Sequence, residues 1–254
     1  MTKLTLEYIF SLFFPLTSFY SSNTEPQACK AGETPWKIRT SLTWKSSKAS
    51  PSSASTTVTA VPPHPLPLLG NEVAEFVRDH LVDELKKLAS FKAGNYEDAL
   101  KDIYVHIDDM LRTPFGKQKL QTYKKNADSG ASMFGRGTDD IAYAAGCTAC
   151  SAIITTTDII VGNSGDSRAV LAVKKGDKLQ AVEMSFDHKP DNPGEKARIE
   201  KAGGFVEDNR VKGVLNLSRS LGDLEYKSDS GKPPADQMIT AVPEVRKERI
   251  TGDT

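Results

Sequence analysis

The sequence lacks an excess of charge of either sign and contains little cysteine. Lys and Arg number 33 and Asp and Glu number 33 in 254 residues, so the formal net charge is zero. A general nucleic-acid binder needs a basic excess to meet phosphates, so we expect no nucleic-acid partner. Three cysteines are too few for a disulfide framework. A charged fraction of 26% and a hydrophobic fraction of 38% argue against a protein with several membrane spans.

Residues 1–69 lack the pattern of a folded domain. Within 46–59, nine of 14 residues are Ser or Thr, and the proline-rich stretch 61–65 follows. Such sequence has little apolar surface to offset the conformational entropy that ordering would cost. We therefore predict an irregular segment at 1–69 that contains a flexible Ser/Thr/Pro-rich linker, and a folded domain at 70–254.

An apolar run at residues 4–20 is similar to a secretory signal. Glu7 and Pro15 interrupt the run, and no small-residue cleavage site follows it. We interpret the run as an irregular apolar tail, with a signal peptide as the alternative. On this interpretation we expect no membrane span and a cytoplasmic or nuclear location.

From Gly70 onwards the hydrophobic residues recur with helical spacing. Apolar stripes with steps of three and four residues predict helices at 73–88 and 100–111. Pro114 is predicted to stop the second helix, and a polar loop is predicted at 124–140. Phe76 and Tyr104 lie at core spacing, so we assign them to packing rather than function.

After this loop the hydrophobic period changes to two. Short segments separated by tight turns predict strands at 148–154, 159–163, 168–173 and 179–183. Strands joined so closely must pair antiparallel. A further helix, with Asn192 placed to cap it and Gly203-Gly204 to end it, is predicted next. This order of elements predicts an α+β layered fold.

The tight turn at 163–168 carries a carboxylate, Asp166, between two predicted strands. Gly165 allows the backbone to bend there, and rigid strands would fix the direction of Asp166. A carboxylate held in this way is typical of a hard-cation site. An Asp in a turn also commonly closes the turn through its own hydrogen bonds. The residues of the turn leave both interpretations open.

The segment from Gly146 to Val245 contains motifs that carry a specific resemblance. These motifs are Gly146-Cys147-Thr148-Ala149, Gly165-Asp166-Ser167-Arg168-Ala169-Val170, Asp187-His188-Lys189-Pro190, Glu195, Arg198-Ile199, Ala202-Gly203-Gly204, Arg210-Val211, Leu217-Ser218-Arg219-Ser220-Leu221-Gly222-Asp223 and Pro243-Glu244-Val245. In this order and spacing they resemble the metal-dependent protein phosphatases of type 2C, the PPM family. Residues 70–88 resemble the first helix of that family.

The resemblance implies a sandwich of two antiparallel β-sheets flanked by helices, with a pair of Mg²⁺ or Mn²⁺ ions held mostly by Asp. It also implies a serine/threonine phosphatase, in which a metal-activated water hydrolyses phosphoserine or phosphothreonine in protein partners. Asp166 corresponds to a ligand of an additional, more weakly held metal. Lys189 and Arg210 match basic positions that would bind the phosphate or its flanking peptide.

The sequence departs from the family on both sides of the matching segment. The family has Asp-Gly-His-Gly-Gly before its first helix, with a metal-binding Asp and a proton-donating His. Here those places hold Leu66, Pro67, Leu68, Leu69 and Gly70. Residues 31–50 show no acidic pair, and no Asp-Gly-x-Trp-Asp segment follows Val245. We therefore assign no catalytic residue and predict a truncated fold whose phosphatase activity is lost or impaired.

Two interpretations explain these departures. One is a truncated or wrongly spliced product of a phosphatase gene. The other is a pseudophosphatase, a non-catalytic module that binds phosphoproteins or a regulatory partner. A secreted Ser/Thr-rich binding protein is a third class, but it explains none of the motifs after Gly146.

Overall fold

The computed structural model describes residues 55–61, 71–126, 140–176 and 178–251. The helices in these ranges are α1 (Glu72–Leu85), α2 (Ala89–Lys92), α3 (Tyr96–Arg112), α4 (Pro114–Asn126), α5 (Ile141–Ala144) and α6 (Pro193–Lys201). The strands are β1 (Ser55–Val61), β2 (Gly146–Ile154), β3 (Asp158–Ser164), β4 (Val170–Lys175), β5 (Lys178–Glu183), β6 (Val206–Glu207), β7 (Arg210–Val211), β8 (Leu221–Gly222) and β9 (Glu244–Arg249). Short 3-10 turns occupy Leu224–Lys227 and Pro234–Asp236.

The two predicted amphipathic helices are confirmed as α1 and α3. Their apolar stripes are buried, and Phe76 and Tyr104 have no exposed surface, as their core spacing predicts. The Tyr104 hydroxyl lies 3.0 Å from Ser151 Oγ and donates to the carbonyl of Gly162 at 2.9 Å. Tyr104 therefore fixes α3 on the sheet formed by β2 and β3.

A third long helix, α4, begins where α3 was predicted to stop. Pro114 ends α3 and at the same time starts α4, because a proline suits the first position of a helix. The Thr113 hydroxyl accepts a hydrogen bond from the amide of Gly116 at 3.1 Å. The loop predicted from residue 124 is wrong as far as Asn126, where α4 ends.

The main sheet is antiparallel, with the order β1-β2-β3-β9 and with β8 paired to β2. Side chains alternate across it. Ile153 and Ile160 pack against the helices, whereas Ala152 and Val161 pack against the β4–β5 ribbon. Antiparallel sheets with flanking helices confirm the predicted α+β sandwich class.

The prediction of a flexible linker is wrong for Ser55–Val61. These residues form β1, which pairs antiparallel with β2 from Ser55↔Ile154 to Val61↔Thr148. Thr and Val are β-branched and favour strands, so this stretch can form a strand although its composition is polar. The rest of 1–69, including the apolar run at 4–20, lies outside the described residues, and the domain boundary at residue 70 stays a prediction.

The other predicted elements agree with the structure in type. The cap predicted for α6 differs in detail, because Asn192 makes no side-chain hydrogen bond to the helix. The side-chain nitrogen of Asn192, Nδ2, instead donates to the carbonyl of Asp187 at 2.8 Å, which attaches the start of α6 to the preceding loop. Among the described helices, none combines the length and apolar character that crossing a membrane requires.

Candidate functional site

The turn between β3 and β4 holds Asp166 in a fixed backbone geometry. Gly165 has a φ of +117°, and a Cβ built on it would lie 2.4 Å from the side chain of Thr148. Only glycine is therefore accommodated there. The side-chain nitrogen of Asn163, Nδ2, donates to the carbonyls of Gly165 at 3.1 Å and Phe186 at 2.9 Å, which joins the turn to the loop after β5.

The structure brings Asp166 and Lys189 into direct contact. The Lys189 ammonium donates to Asp166 Oδ2, and both side chains are partly exposed. Beside them, Arg168 donates two parallel hydrogen bonds to the carboxylate of Asp187, at 2.8 and 2.9 Å. The outer surface of this turn therefore consists of two neighbouring ion pairs.

Arg210 does not join this contact. It lies on β7, where its Nη1 donates to the carbonyl of Val214 at 2.7 Å. Among the described residues it makes no ion pair or hydrogen bond with Asp166 or Lys189. Asp208 and Asn209 before it have positive φ values of 49° and 58°, so a tight turn sets its place.

The described residues do not fit the metal pair that the resemblance implies. Across 71–126, 140–176 and 178–251, no three or more His, Cys, Asp and Glu side chains cluster as a metal site would require. Among the described residues, Asp166 belongs to no group of three or more such side chains, and its charge is already balanced by Lys189. A divalent ion needs several oxygen donors, so this carboxylate alone is not a metal-pair site.

A buried ion network joins α6 to the segment before β8. Glu195 accepts hydrogen bonds from Arg219 Nη2 at 2.7 Å and from the Ser218 hydroxyl at 2.6 Å, and Arg198 Nη1 lies at 2.8 Å. Burial disfavours the ionised form of Glu195, but the two arginines and Ser218 outweigh it and lower its pKa to about 2. Arg219 also donates to the carbonyl of Val242 at 3.1 Å. The family motifs include these charged residues, but their spacing in the sequence does not predict that they pair with one another.

A second buried network lies between α3 and β8. The Lys227 ammonium donates to Asp108 Oδ1 at 2.9 Å and to the carbonyl of Ser220 at 2.7 Å. The Ser220 hydroxyl donates to Asp223 at 2.6 Å. Burial raises the pKa of Asp223 to about 6 against the opposing effects of Ser220 and Lys227. The sequence signal for this network is a charged residue, Asp108, inside an apolar helical stripe.

A cavity of about 270 Å³ opens beside this second network. It lies between α3 and the segment after β8, and its lining includes Arg112, Lys227 and Gln237 but none of the predicted site residues. Lys227 and Gln237 are already committed to hydrogen bonds within the protein. We assign the cavity no function.

The resemblance of the motifs is confirmed by comparison with known proteins. The family model described as Protein phosphatase 2C matches residues 66–254. Protein phosphatase 2C 1 of Paramecium tetraurelia is 47% identical over 182 residues, which are 72% of this chain and 55% of that protein. Protein phosphatase 2C homolog 2 of Schizosaccharomyces pombe is 41% identical over 185 residues, which are 72% of this chain and 43% of that protein. The chain thus spans about half the length of these curated relatives.

Solved structures agree with this fold. Serine-threonine phosphatase 2C from Toxoplasma gondii has a TM-score of 0.58 at 20% identity, and the match covers 79% of this chain and 65% of that one. A sex determining protein of C. elegans has a TM-score of 0.51 at 23% identity, with coverage of 79% and 41%. At these identities the likeness concerns the fold alone. Since the family model matches residues 66–254 and these curated relatives are 47% and 41% identical to the chain, the chain belongs to the protein phosphatase 2C family.

Proposed function

We propose that the protein has the function of a metal-dependent serine/threonine phosphatase. The substrates of this class are phosphoserine and phosphothreonine proteins, and its cofactor is Mg²⁺ or Mn²⁺. The observation that carries the proposal is the match of the Protein phosphatase 2C family model to residues 66–254, a range that includes the family motifs around Asp166 and Lys189. Family membership gives the reaction, the hydrolysis of a phosphoric monoester.

Within this function, Lys189 and Arg210 contact the substrate. A phosphate dianion forms its strongest hydrogen bonds with charged donors, and both residues carry such donors on the surface. Asp166 is the one described residue to which we give a metal-binding role. Because the described residues do not fit a metal pair, we assign none of them a catalytic role and expect the 254-residue chain to bind phosphopeptide without hydrolysing it.

A second candidate function is phosphoprotein binding by a pseudophosphatase. It is favoured by the charge balance of Asp166 with Lys189, together with leucines at 66 and 68, where the family has its metal-binding Asp and its His. Both candidates use the same substrate contacts. A longer form of the protein would hydrolyse the phosphate ester under the first candidate and would not hydrolyse it under the second.

Peptide binding tests the contacts that both candidates share. A fluorescein-labelled phosphothreonine peptide and its unphosphorylated twin are titrated with the 254-residue chain, with anisotropy as the readout. Lys189→Met and Arg210→Met should each weaken binding of the phosphorylated peptide by roughly tenfold to a hundredfold, since a charge-assisted hydrogen bond contributes roughly 1.5–3 kcal/mol. Lys201→Met, which removes an exposed cation at the end of α6, is the matched control and should leave affinity unchanged. Equal affinity for the two peptides would contradict the proposal.

A further inference from the structure

His188 is buried directly behind the Asp166–Lys189 pair. Only 3% of it is exposed. Its backbone amide donates to the carbonyl of Gly165 at 3.0 Å, and its own carbonyl accepts from the amide of Ser218 at 3.2 Å. His188 therefore connects the turn that precedes Asp166 with the segment that leads to β8.

The imidazole ring makes a second contact with Gly165. Its Nδ1 lies 3.2 Å from the amide nitrogen of Gly165 and 3.0 Å from the carbonyl oxygen. That carbonyl already accepts hydrogen bonds from the amide of His188 and from Asn163, whereas the Gly165 amide has the ring as its acceptor. Nδ1 is therefore the unprotonated nitrogen, and the proton is on Nε2.

The position of Nε2 agrees with this tautomer. Nε2 is buried 3.4 Å from Glu244 Oε2 on β9, without the alignment of a hydrogen bond. An N–H near a carboxylate is electrostatically favourable even without hydrogen-bond alignment, whereas an unprotonated nitrogen there would face a like partial charge. The ring thus lies between the Asp166 turn and β9, with a different role for each nitrogen.

We propose that His188 is a positioning residue, which holds the Gly165 peptide through Nδ1 so that Asp166 and Lys189 stand side by side for the substrate. The inference rests on the proposed function. The Gly165 peptide sets the direction of the Asp166 side chain, and Lys189 follows His188 directly in the chain. A shift of either backbone would separate the two side chains, since pre-set orientation is what makes such a pair effective.

Two substitutions separate the roles of the two ring nitrogens. In His188→Asn, the side-chain oxygen occupies the place of Nδ1, so the contact with Gly165 is kept and the approach to Glu244 is lost. In His188→Gln, the longer side chain reaches the place of Nε2, and the contact with Gly165 is lost. Both variants remove the buried ring, and His188→Gln also leaves the buried Gly165 amide without its acceptor, so His188→Asn should melt below the wild type and His188→Gln lower still.

The test compares phosphothreonine-peptide affinity and amide hydrogen exchange in the full 254-residue chain. We expect His188→Asn to bind within about twofold of the wild type and His188→Gln to bind on the order of 10-fold to 100-fold more weakly, by analogy with residues that orient metal ligands. The Gly165 amide should exchange slowly in the wild type and His188→Asn, and fast in His188→Gln.

A purely structural role for His188 would weaken binding in both variants in step with their melting temperatures, so that the destabilised His188→Asn would also bind clearly more weakly than the wild type, and this result would overturn the inference. If the wild type does not prefer the phosphorylated peptide, the proposed function fails and the positioning inference falls with it. Exchange at Gly165 would then show separately whether Nδ1 holds the turn.

Discussion

At the scale of single residues, the two buried networks shift carboxyl pKa values in opposite directions. Glu195 lies between Arg198 and Arg219, and its pKa falls to about 2 despite burial. Asp223 is buried with a serine hydroxyl as its hydrogen-bond donor, and its pKa rises to about 6. Partner charge decides the first case and desolvation the second.

Asp223 should make the folded state less stable as the pH rises. Its folded pKa of about 6 exceeds the ordinary value of 3.8, so the folded state binds more protons between these limits. Its stabilising contribution is therefore complete below about pH 4 and is lost as the pH rises through 6. Asp223→Asn keeps an acceptor for Ser220 and removes the titration. We expect the unfolding free energy of the variant, measured in urea relative to the wild type, to increase from pH 4 to pH 6 and then level off. A difference that does not change with pH would contradict this assignment.

At the scale of elements, the turn between β3 and β4 depends on one glycine. Gly165→Ala would combine a positive φ with a Cβ placed 2.4 Å from Thr148, so we expect a loss of about 1–3 kcal/mol in unfolding free energy. Gly194→Ala is the matched control, because Gly194 lies in the first turn of α6 and a Cβ built on it meets no described atom within 4 Å. It should leave stability unchanged or raise it by a few tenths of a kcal/mol. Equal losses in the two variants, measured by urea unfolding, would show that the turn is not strained by a side chain.

The elements that could be predicted from sequence are those with a strong internal period. Local sequence patterns are enough to predict the apolar stripes of α1 and α3 and the tight hairpin of β4 and β5. By contrast, α4 is mostly Lys, Gln and Thr around a few apolar side chains such as Leu120, and its pattern is too sparse to read. β1 exists through pairing with β2, a contact between segments some 90 residues apart that no local pattern contains.

The candidate site was predictable only in part, for the same reason. The Asp166 turn follows from a glycine between two strands, but its partner Lys189 is 23 residues away and meets it only through the fold. Asp108 and Lys227, which are 119 residues apart, form their buried pair without any motif in common. The predicted roles of Asp166, Lys189 and Arg210 remain proposals.

At the scale of the whole molecule, we propose that the described residues supply a surface for a phosphorylated substrate, and they place no set of metal ligands together. Lys189 and Arg210 offer charged donors, whereas the described part of the chain places no three metal-binding side chains together. We therefore propose that recognition and turnover are separable in this protein, because hydrolysis in this class needs a water activated by metal ions that several oxygens hold.

Phosphate release from a phosphothreonine peptide in the presence of Mn²⁺ tests this account most directly. The 254-residue chain is assayed beside Protein phosphatase 2C 1 of Paramecium tetraurelia, at a peptide concentration at which anisotropy shows the chain to be saturated. We predict that the chain binds the phosphorylated peptide and releases no phosphate above the level of a chelator-treated sample. Mn²⁺-dependent release that is abolished both by chelator and by Asp166→Asn would contradict the account, because it would require metal ligands assembled around Asp166.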